Sequence, residues 1–197
     1  GVVVDFAMNS SCAAGTGSFL EEQAERLGIS IREEVAALAH RSPAPSCLGE
    51  RCTVFMESDL VHHQQKGATV PDLAAGLAYS IVHNYLNRVV DARAVGTRIL
   101  FLGGVAHNSA VASAFEAVLG RSVRVPPHHD VTGAIGAALL AREEMEAHPG
   151  RGTRFRGFES AQRRYEMRSV VCRACPNLCD VKQVVVDDEP PPYYGAR

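Results

Sequence analysis

Apolar residues recur at helical spacing along most of the first 145 or so positions, and the pattern then changes. Residues 1–6 form a short apolar run through Val2, Val3, Val4 and Phe6, which predicts a buried strand. Helical periodicity begins near Gly15 and runs to Leu27, with Phe19, Leu20, Ala24 and Leu27 on one side and Gly28 as the stop. A second helical run covers about 31–40, and Ser42-Pro43-Ala44-Pro45-Ser46 opens a loop that extends to about 49. A third helix follows Cys52 and ends at Lys66-Gly67. A fourth begins with Thr69 as N-cap, Pro71 in the first turn and Asp72 three residues past the cap, and it carries the apolar face Ala74, Leu77, Ala78, Ile81, Tyr85 and Val89.

Strands then alternate with helices. Arg98–Leu102 reads as a strand, Gly103-Gly104 as a sharp turn, and Asn108 or Ser109 as the start of a helix that closes at Leu119-Gly120. Ser122–Val125 reads as a second strand ended by Pro126-Pro127, and a helix of small residues spans about Val131–Ala147. This alternation predicts an α/β architecture. His148-Pro149-Gly150-Arg151-Gly152 reads as a linker, so the domain expectation is 1–147, a linker at 148–152, and a separate piece over 153–197 with a β segment at Val184–Val186.

Composition narrows the picture. The chain has 197 residues and a formal net charge of −2, which gives no nucleic-acid footprint and no polybasic membrane patch. No apolar run approaches the roughly 20 residues of a membrane span, and the opening has no signal-peptide pattern. The expected location is the cytoplasm, without nucleic-acid or membrane partners. A start at Gly1 directly in an apolar run reads as a cut through a larger protein.

The six cysteines fall into separate clusters, an arrangement that suits metal or redox chemistry better than a secreted disulfide scaffold. Cys12, in Cys12-Ala13-Ala14-Gly15-Thr16-Gly17, stands just before a helix, where free N–H groups and the dipole favour a thiolate. A helix start of small residues with an incidental buried cysteine explains this spacing equally well. Cys52, in Arg51-Cys52-Thr53-Val54-Phe55-Met56-Glu57-Ser58, repeats the arrangement. Two thiolates per chain are half of what a [4Fe–4S] cluster usually takes, and a twofold homodimer supplies the other pair. Cys47 is either a bystander or a local ligand. Gly103-Gly104 at the end of a strand lets a flat ligand approach the backbone, although many βα loops use glycines for geometry alone. The stripe Gly133-Ala134-Ile135-Gly136-Ala137-Ala138 predicts close packing against another backbone. His62-His63 and His128-His129 read as surface or loop histidines, because adjacent residues point apart.

Four motifs in order resemble the BadF/BadG/BcrA/BcrD-type ATPases: Cys-Ala-Ala-Gly-Thr-Gly-x-Phe-Leu from Cys12, Cys-Thr-Val-Phe-x-Glu-Ser from Cys52, Gly-Gly-Val-Ala-x-Asn from Gly103, and Gly-Ala-x-Gly-Ala-Ala from Gly133. The resemblance covers about residues 1–145 and extends to the activators of 2-hydroxyacyl-CoA dehydratases. It implies the C-terminal half of an acetate kinase, sugar kinase, Hsp70 and actin superfold. It also implies a homodimer with one interface [4Fe–4S] cluster on Cys12 and Cys52, and ATP or ADP with Mg²⁺. Gly103, Gly104, Val105 and Asn108 would take the adenosine side. The implied function is ATP-gated transfer of a low-potential electron to a 2-hydroxyacyl-CoA dehydratase or benzoyl-CoA reductase-type partner. Ser18 stands where the family pattern carries a basic residue, and Cys47 has no counterpart in it. The family's phosphate loops and Mg²⁺ carboxylates precede the Cys12 motif, so catalytic residues for ATP hydrolysis are expected to lie outside this chain, which alone should be inactive.

Cys172-Arg173-Ala174-Cys175-Pro176-Asn177-Leu178-Cys179 has the spacing of a metal knuckle for zinc or an iron–sulfur cluster, the other reading being a pair of reduced structural thiols with a third as bystander. It looks like the opening of the extra module of longer, fused activator-like proteins, with a fourth cysteine expected after Arg197. Two other functions fit the same superfold or tail: a sugar- or acetate-kinase-like phosphotransferase, and a zinc-stabilised binding module.

Overall fold

The computed structural model describes residues 3–8, 17–50, 52–153, 155, 157–186 and 192–195. The chain divides into two compact units, Gly1–Glu144 and Met145–Arg197. The first unit starts with α1 (Gly17–Leu27), a short α2 (Val35–Ala39), α3 (Thr53–Gln65) and α4 (Val70–Tyr85), which continues as a π-helical turn over Leu86–Val90. Then follow β1 (Ile99–Leu100), a 3₁₀ turn at Gly104–His107, α5 (Ser109–Leu119), β2 (Val123–Arg124) and α6 (Thr132–Ala147), within which the division falls.

The core is built around α4. Its start is locked by a reciprocal cap: the Asp72 backbone N–H donates to Thr69 Oγ1 at 3.3 Å, and the Thr69 hydroxyl donates to Asp72 Oδ2 at 2.6 Å. The expected apolar face is buried at Ala74, Leu77, Ala78, Ile81 and Val89, but so are Leu73, Ala75, Ser80 and Val82 on the other sides. A helix apolar or small all round is a central helix. Phe19 and Leu20 of α1, Met56 and Leu60 of α3, and Ala110, Val111 and Ala114 of α5 pack into the same core. Each large aliphatic or aromatic side chain so buried contributes about 1.5–3 kcal/mol. Tyr85 is the exception to the predicted face: it stays 41% exposed and meets Phe115 edge to face, with ring centroids 5.9 Å apart.

The loop after α2 is pinned along α4. The Ser42 hydroxyl donates to Asp72 Oδ1 at 2.6 Å, Ser46 N–H to the Asp72 carbonyl at 2.9 Å, and the Ser80 hydroxyl to the Gly49 carbonyl at 2.8 Å. The approach is so close that a Cβ on Gly76 would collide with the Ser46 carbonyl oxygen. The second helix is shorter than the 31–40 run suggested. Ser30 N–H bonds Glu34 Oε2 at 2.7 Å and Ser30 Oγ accepts from Glu33 N–H at 3.3 Å, so these side chains hold 31–34 in a turn ahead of it.

β1 and β2 pair in parallel with Ile99 opposite Val123 and Leu100 opposite Arg124, and α5 forms the crossover. This βαβ unit bears out the α/β reading. Residues 3–8 form no strand, contrary to the apolar run that predicted one. Val4 is 96% exposed, and an extended segment is a strand only when a neighbour takes its backbone hydrogen bonds. Instead Asp5 Oδ2 accepts from Arg93 Nε at 3.1 Å. Among the described residues the packing expected of the small-residue stripe on α6 is not made either: α6 has no buried residue, and a Cβ on Gly133 or Gly136 would meet nothing within 4 Å.

In the second unit a 3₁₀ turn (Phe158–Gln162) precedes an antiparallel sheet in the order β3 (Glu166–Val171), β4 (Asp180–Val185), β5 (Tyr193–Tyr194). Among the described residues no helix is long and apolar enough to cross a membrane.

Candidate functional site

The turn after β1 is shaped by one backbone requirement. Gly103 has φ 97° and ψ 177°, a conformation open in practice to glycine alone. Gly104 differs: its φ is unexceptional and a Cβ there would meet nothing within 4 Å. The chain's own packing therefore does not explain why position 104 lacks a side chain. Both glycines and Val105 line a cavity of about 580 Å³, walled by Tyr85, Phe101 and Phe115 and closed on another side by Gly17 at the start of α1. Among the described residues no charged side chain lines it. Its volume falls in the range of small-molecule sites, and its lining includes Val95 and follows the chain through β1 from Ile99 to Val105.

Asn108 does structural work first. Its Oδ1 accepts from the backbone N–H groups of Ala110 at 3.0 Å and Val111 at 3.3 Å, capping α5. Its Nδ2 is buried and has no hydrogen-bond partner among the described residues. A buried amide donor without an acceptor is costly, and Asn108 is not among the residues that line the cavity. The aromatic walls contributed by Tyr85, Phe101 and Phe115 were not marked by any motif; only helix phase and the βαβ path bring them together.

Cys52 is the N-cap of α3, in an extended conformation and half-buried, and its side chain makes no capping bond. Beside it Val54 and Phe55 are 69% and 62% exposed. Gln23 Nε2 donates to the Thr53 carbonyl at 3.1 Å, and Arg26 pairs with Glu57 one turn further along. The two contacts advance together along both helices, so α1 and α3 run in the same direction and their N-termini point to the same end. Cys12, which precedes α1, lies outside the described residues. Cys47 is exposed in the loop after α2.

The three tail cysteines sit at one end of the β3–β4 hairpin. Cys172 N–H donates to the Cys179 carbonyl at 2.8 Å, continuing the Val171–Asp180 pairing, so Cys172 and Cys179 are cross-strand neighbours at the mouth of the turn that carries Cys175. Leu178 closes the turn with φ 47°. The three sulfurs do not all lie within 4.8 Å of one another. Among the described residues, the group of three metal-capable side chains with ligand atoms all within 4.8 Å of one another is His107, His129 and Asp130. Spacing could not show it, since His107 follows β1 and the other two follow β2. The Asp130 carboxyl is held below the usual aspartate range, first by a hydrogen bond from its own backbone N–H and then, against some desolvation, by His107 and His129.

An α/β unit with a glycine turn at the end of a parallel strand and a cavity beside it defines a class of ligand-binding lobes. Within that class, residues 1–141 match the BadF/BadG/BcrA/BcrD ATPase family, and the chain belongs to it. It is 33% identical to the 2-hydroxyisocaproyl-CoA dehydratase activator of Clostridioides difficile over 74% of this chain and 54% of that protein. It is 35% identical to the (R)-2-hydroxyglutaryl-CoA dehydratase activating ATPase of Acidaminococcus fermentans over 72% of this chain and 54% of that protein. The chain thus spans about half the length of these curated relatives. The solved structure of the Clostridium difficile activator with bound ADPNP superposes with a TM-score of 0.68 at 30% identity, covering 79% of this chain and 57% of that one. The fold is therefore that of the activator ATPases, the actin, Hsp70 and sugar-kinase type.

Proposed function

We propose that the chain is part of an ATP-dependent activator. In this reading it forms a homodimer that passes a low-potential electron to a 2-hydroxyacyl-CoA dehydratase or a benzoyl-CoA reductase-type partner. The observation that carries this reading is the parallel pairing of α1 and α3, which sends the helix start after Cys12 and the Cys52 cap toward one end. Cys12 and Cys52 from each of two chains would hold a [4Fe–4S] cluster, which when bound supplies the one-electron donor. The donor set suits it, since iron–sulfur clusters are held by cysteine sulfurs. Exposed Val54 and Phe55 next to Cys52 give a second copy an apolar surface to cover.

Gly103, Gly104 and Val105 would present backbone to the adenosine side of ATP or ADP, and Asn108 Nδ2 would donate to it. The fit rests on the open space at Gly104 and the uncharged wall that the described residues present. Among the described residues that wall offers no carboxylate for Mg²⁺, and in this reading the cavity's residues serve the nucleoside. Gly17 of α1 lines the same cavity as Val105, so a nucleotide pressing on the turn bears on the helix that follows Cys12. This contact would let nucleotide state bias the cysteine-bearing helix. In the tail, Cys172, Cys175 and Cys179 would hold zinc or a second iron–sulfur cluster, with a fourth donor from elsewhere.

Anaerobic purification tests the proposal. About four iron and four sulfide per dimer, lost in Cys52→Ser, is the expected result. Iron unaffected by Cys52→Ser, or zinc as the sole metal, would overturn it.

A further inference from the structure

His107 and His129 belong to loops on either side of α5, and the fold brings them to one place. His107 ends the 3₁₀ turn after β1, and its ring centroid lies 4.3 Å from that of His129 on the loop after β2. Asp130 follows His129, and its Oδ2 is 3.5 Å from His107 Nε2. We propose that His107, His129 and Asp130 form a binding site for a divalent cation of the zinc class.

The 3.5 Å separation is the first argument. It is longer than a well-made hydrogen bond of roughly 2.7–3.2 Å. It is close to the edge of a tetrahedron, roughly 3.3–3.4 Å, that bonds of about 2.0–2.1 Å would span. The orientation of His129 is the second. Its Nδ1 lies 3.0 Å from the Gly103 carbonyl oxygen. A carbonyl only accepts, so Nδ1 carries the proton, and in the neutral ring Nε2 is the nitrogen left with a lone pair for a metal. Metal-binding histidines are commonly held this way by a backbone carbonyl. The donor set is the third: two imidazoles and one carboxylate suit zinc and its neighbours, whereas calcium and magnesium take oxygen. Access is the fourth, since the His107 and Asp130 side chains are 65% and 43% exposed. Water can complete the coordination. An ion bound here would tie the loop after β1 to the loop after β2 and hold the Gly103 turn between them. The site needs neither nucleotide nor cysteine, so it stands apart from the proposed activator function.

Histidine side-chain ¹⁵N spectra of the reduced, unaltered chain test it, with Zn²⁺ alone as the probe and added beyond what the thiols can bind. The Nε2 resonances of His107 and His129 should move to metal-bound positions at one further equivalent, while His62 and His63 stay. His129→Ala should weaken the response of His107 to Zn²⁺ by more than about 100-fold, beyond what loss of an outer-shell partner alone causes. Asp130→Asn should weaken it in the same direction. Resonances of His107 and His129 that do not move at excess Zn²⁺ would overturn the proposal. So would an undiminished His107 response in His129→Ala, since a single histidine, or a plain His107–Asp130 ion pair, predicts that result.

Discussion

Gly103 and His129 hold each other by two hydrogen bonds: Gly103 N–H donates to the His129 carbonyl at 2.7 Å, and His129 Nδ1 donates to the Gly103 carbonyl at 3.0 Å. The turn after β1 is thus fastened to the loop after β2 at the residue whose φ of 97° excludes side chains. Gly103→Ala should cost about 1–3 kcal/mol through backbone strain. Gly104→Ala should cost far less, because its Cβ would enter open space. Urea unfolding of the two variants checks the contrast, and equal losses would contradict it.

Gly76→Ala should destabilise the first unit although alanine is the better helix former. The added methyl would meet the Ser46 carbonyl and Leu48. Overpacking of this kind costs about 1–3 kcal/mol. A rise in stability on thermal or urea unfolding would show that the loop after α2 yields easily.

Asp72 gives an acid-sensitive contact. Its carboxylate accepts from the Ser42 and Thr69 hydroxyls and from Ala44 N–H, which lowers its pKa, the Ser42 bond counting most. A lowered folded value means that the stabilisation is fully present above the unfolded pKa of about 3.9 and is lost as pH falls through the folded value. Asp72→Asn should therefore flatten the acid limb of the stability curve. An identical pH dependence in the variant would rule the contact out as its source.

Asn108 separates capping from binding. Asn108→Ala should remove the cap and cost about 1 kcal/mol. Asn108→Asp keeps the accepting oxygen and removes Nδ2, so it should leave α5 intact yet weaken binding of an adenosine nucleotide. The unaltered chain should bind adenosine without turnover, since among the described residues no charged group lines the cavity. Calorimetry with ADP and a phosphate-release assay measure both. Equal affinity in Asn108→Asp would remove Asn108 from the site.

Cys175→Ser should release metal from the tail hairpin and leave iron bound through Cys52 unchanged. The two cysteine groups belong to separate compact units. Metal analysis beside the visible spectrum reads both at once, and loss of interface iron in Cys175→Ser would merge them into one site.

Much of the local structure was legible from the residues. Thr69 with Asp72, Asn108 before α5, and Cys52 before α3 sit where the sequence placed them, because a helix start depends on side chains within a few positions of its free N–H groups. The four motifs likewise pointed to the family that residues 1–141 match.

Features that need two distant segments were not legible in this way. Periodicity marked one face of α4 but not its burial on all sides, which depends on the loop after α2 and on α1, α3 and α5 closing around it. The apolar run over 3–6 carries strand propensity, yet a strand also needs a partner, and β1 pairs with β2 alone among the described residues. Adjacent histidines gave no metal signal, and the partner of His129 turned out to be His107 across the βαβ crossover. Caps, turns and motif chemistry are short-range and were determined by the sequence itself. The aromatic wall, the shared direction of α1 and α3, and the meeting of His107, His129 and Asp130 depend on the path of the chain, which only the tertiary structure decided.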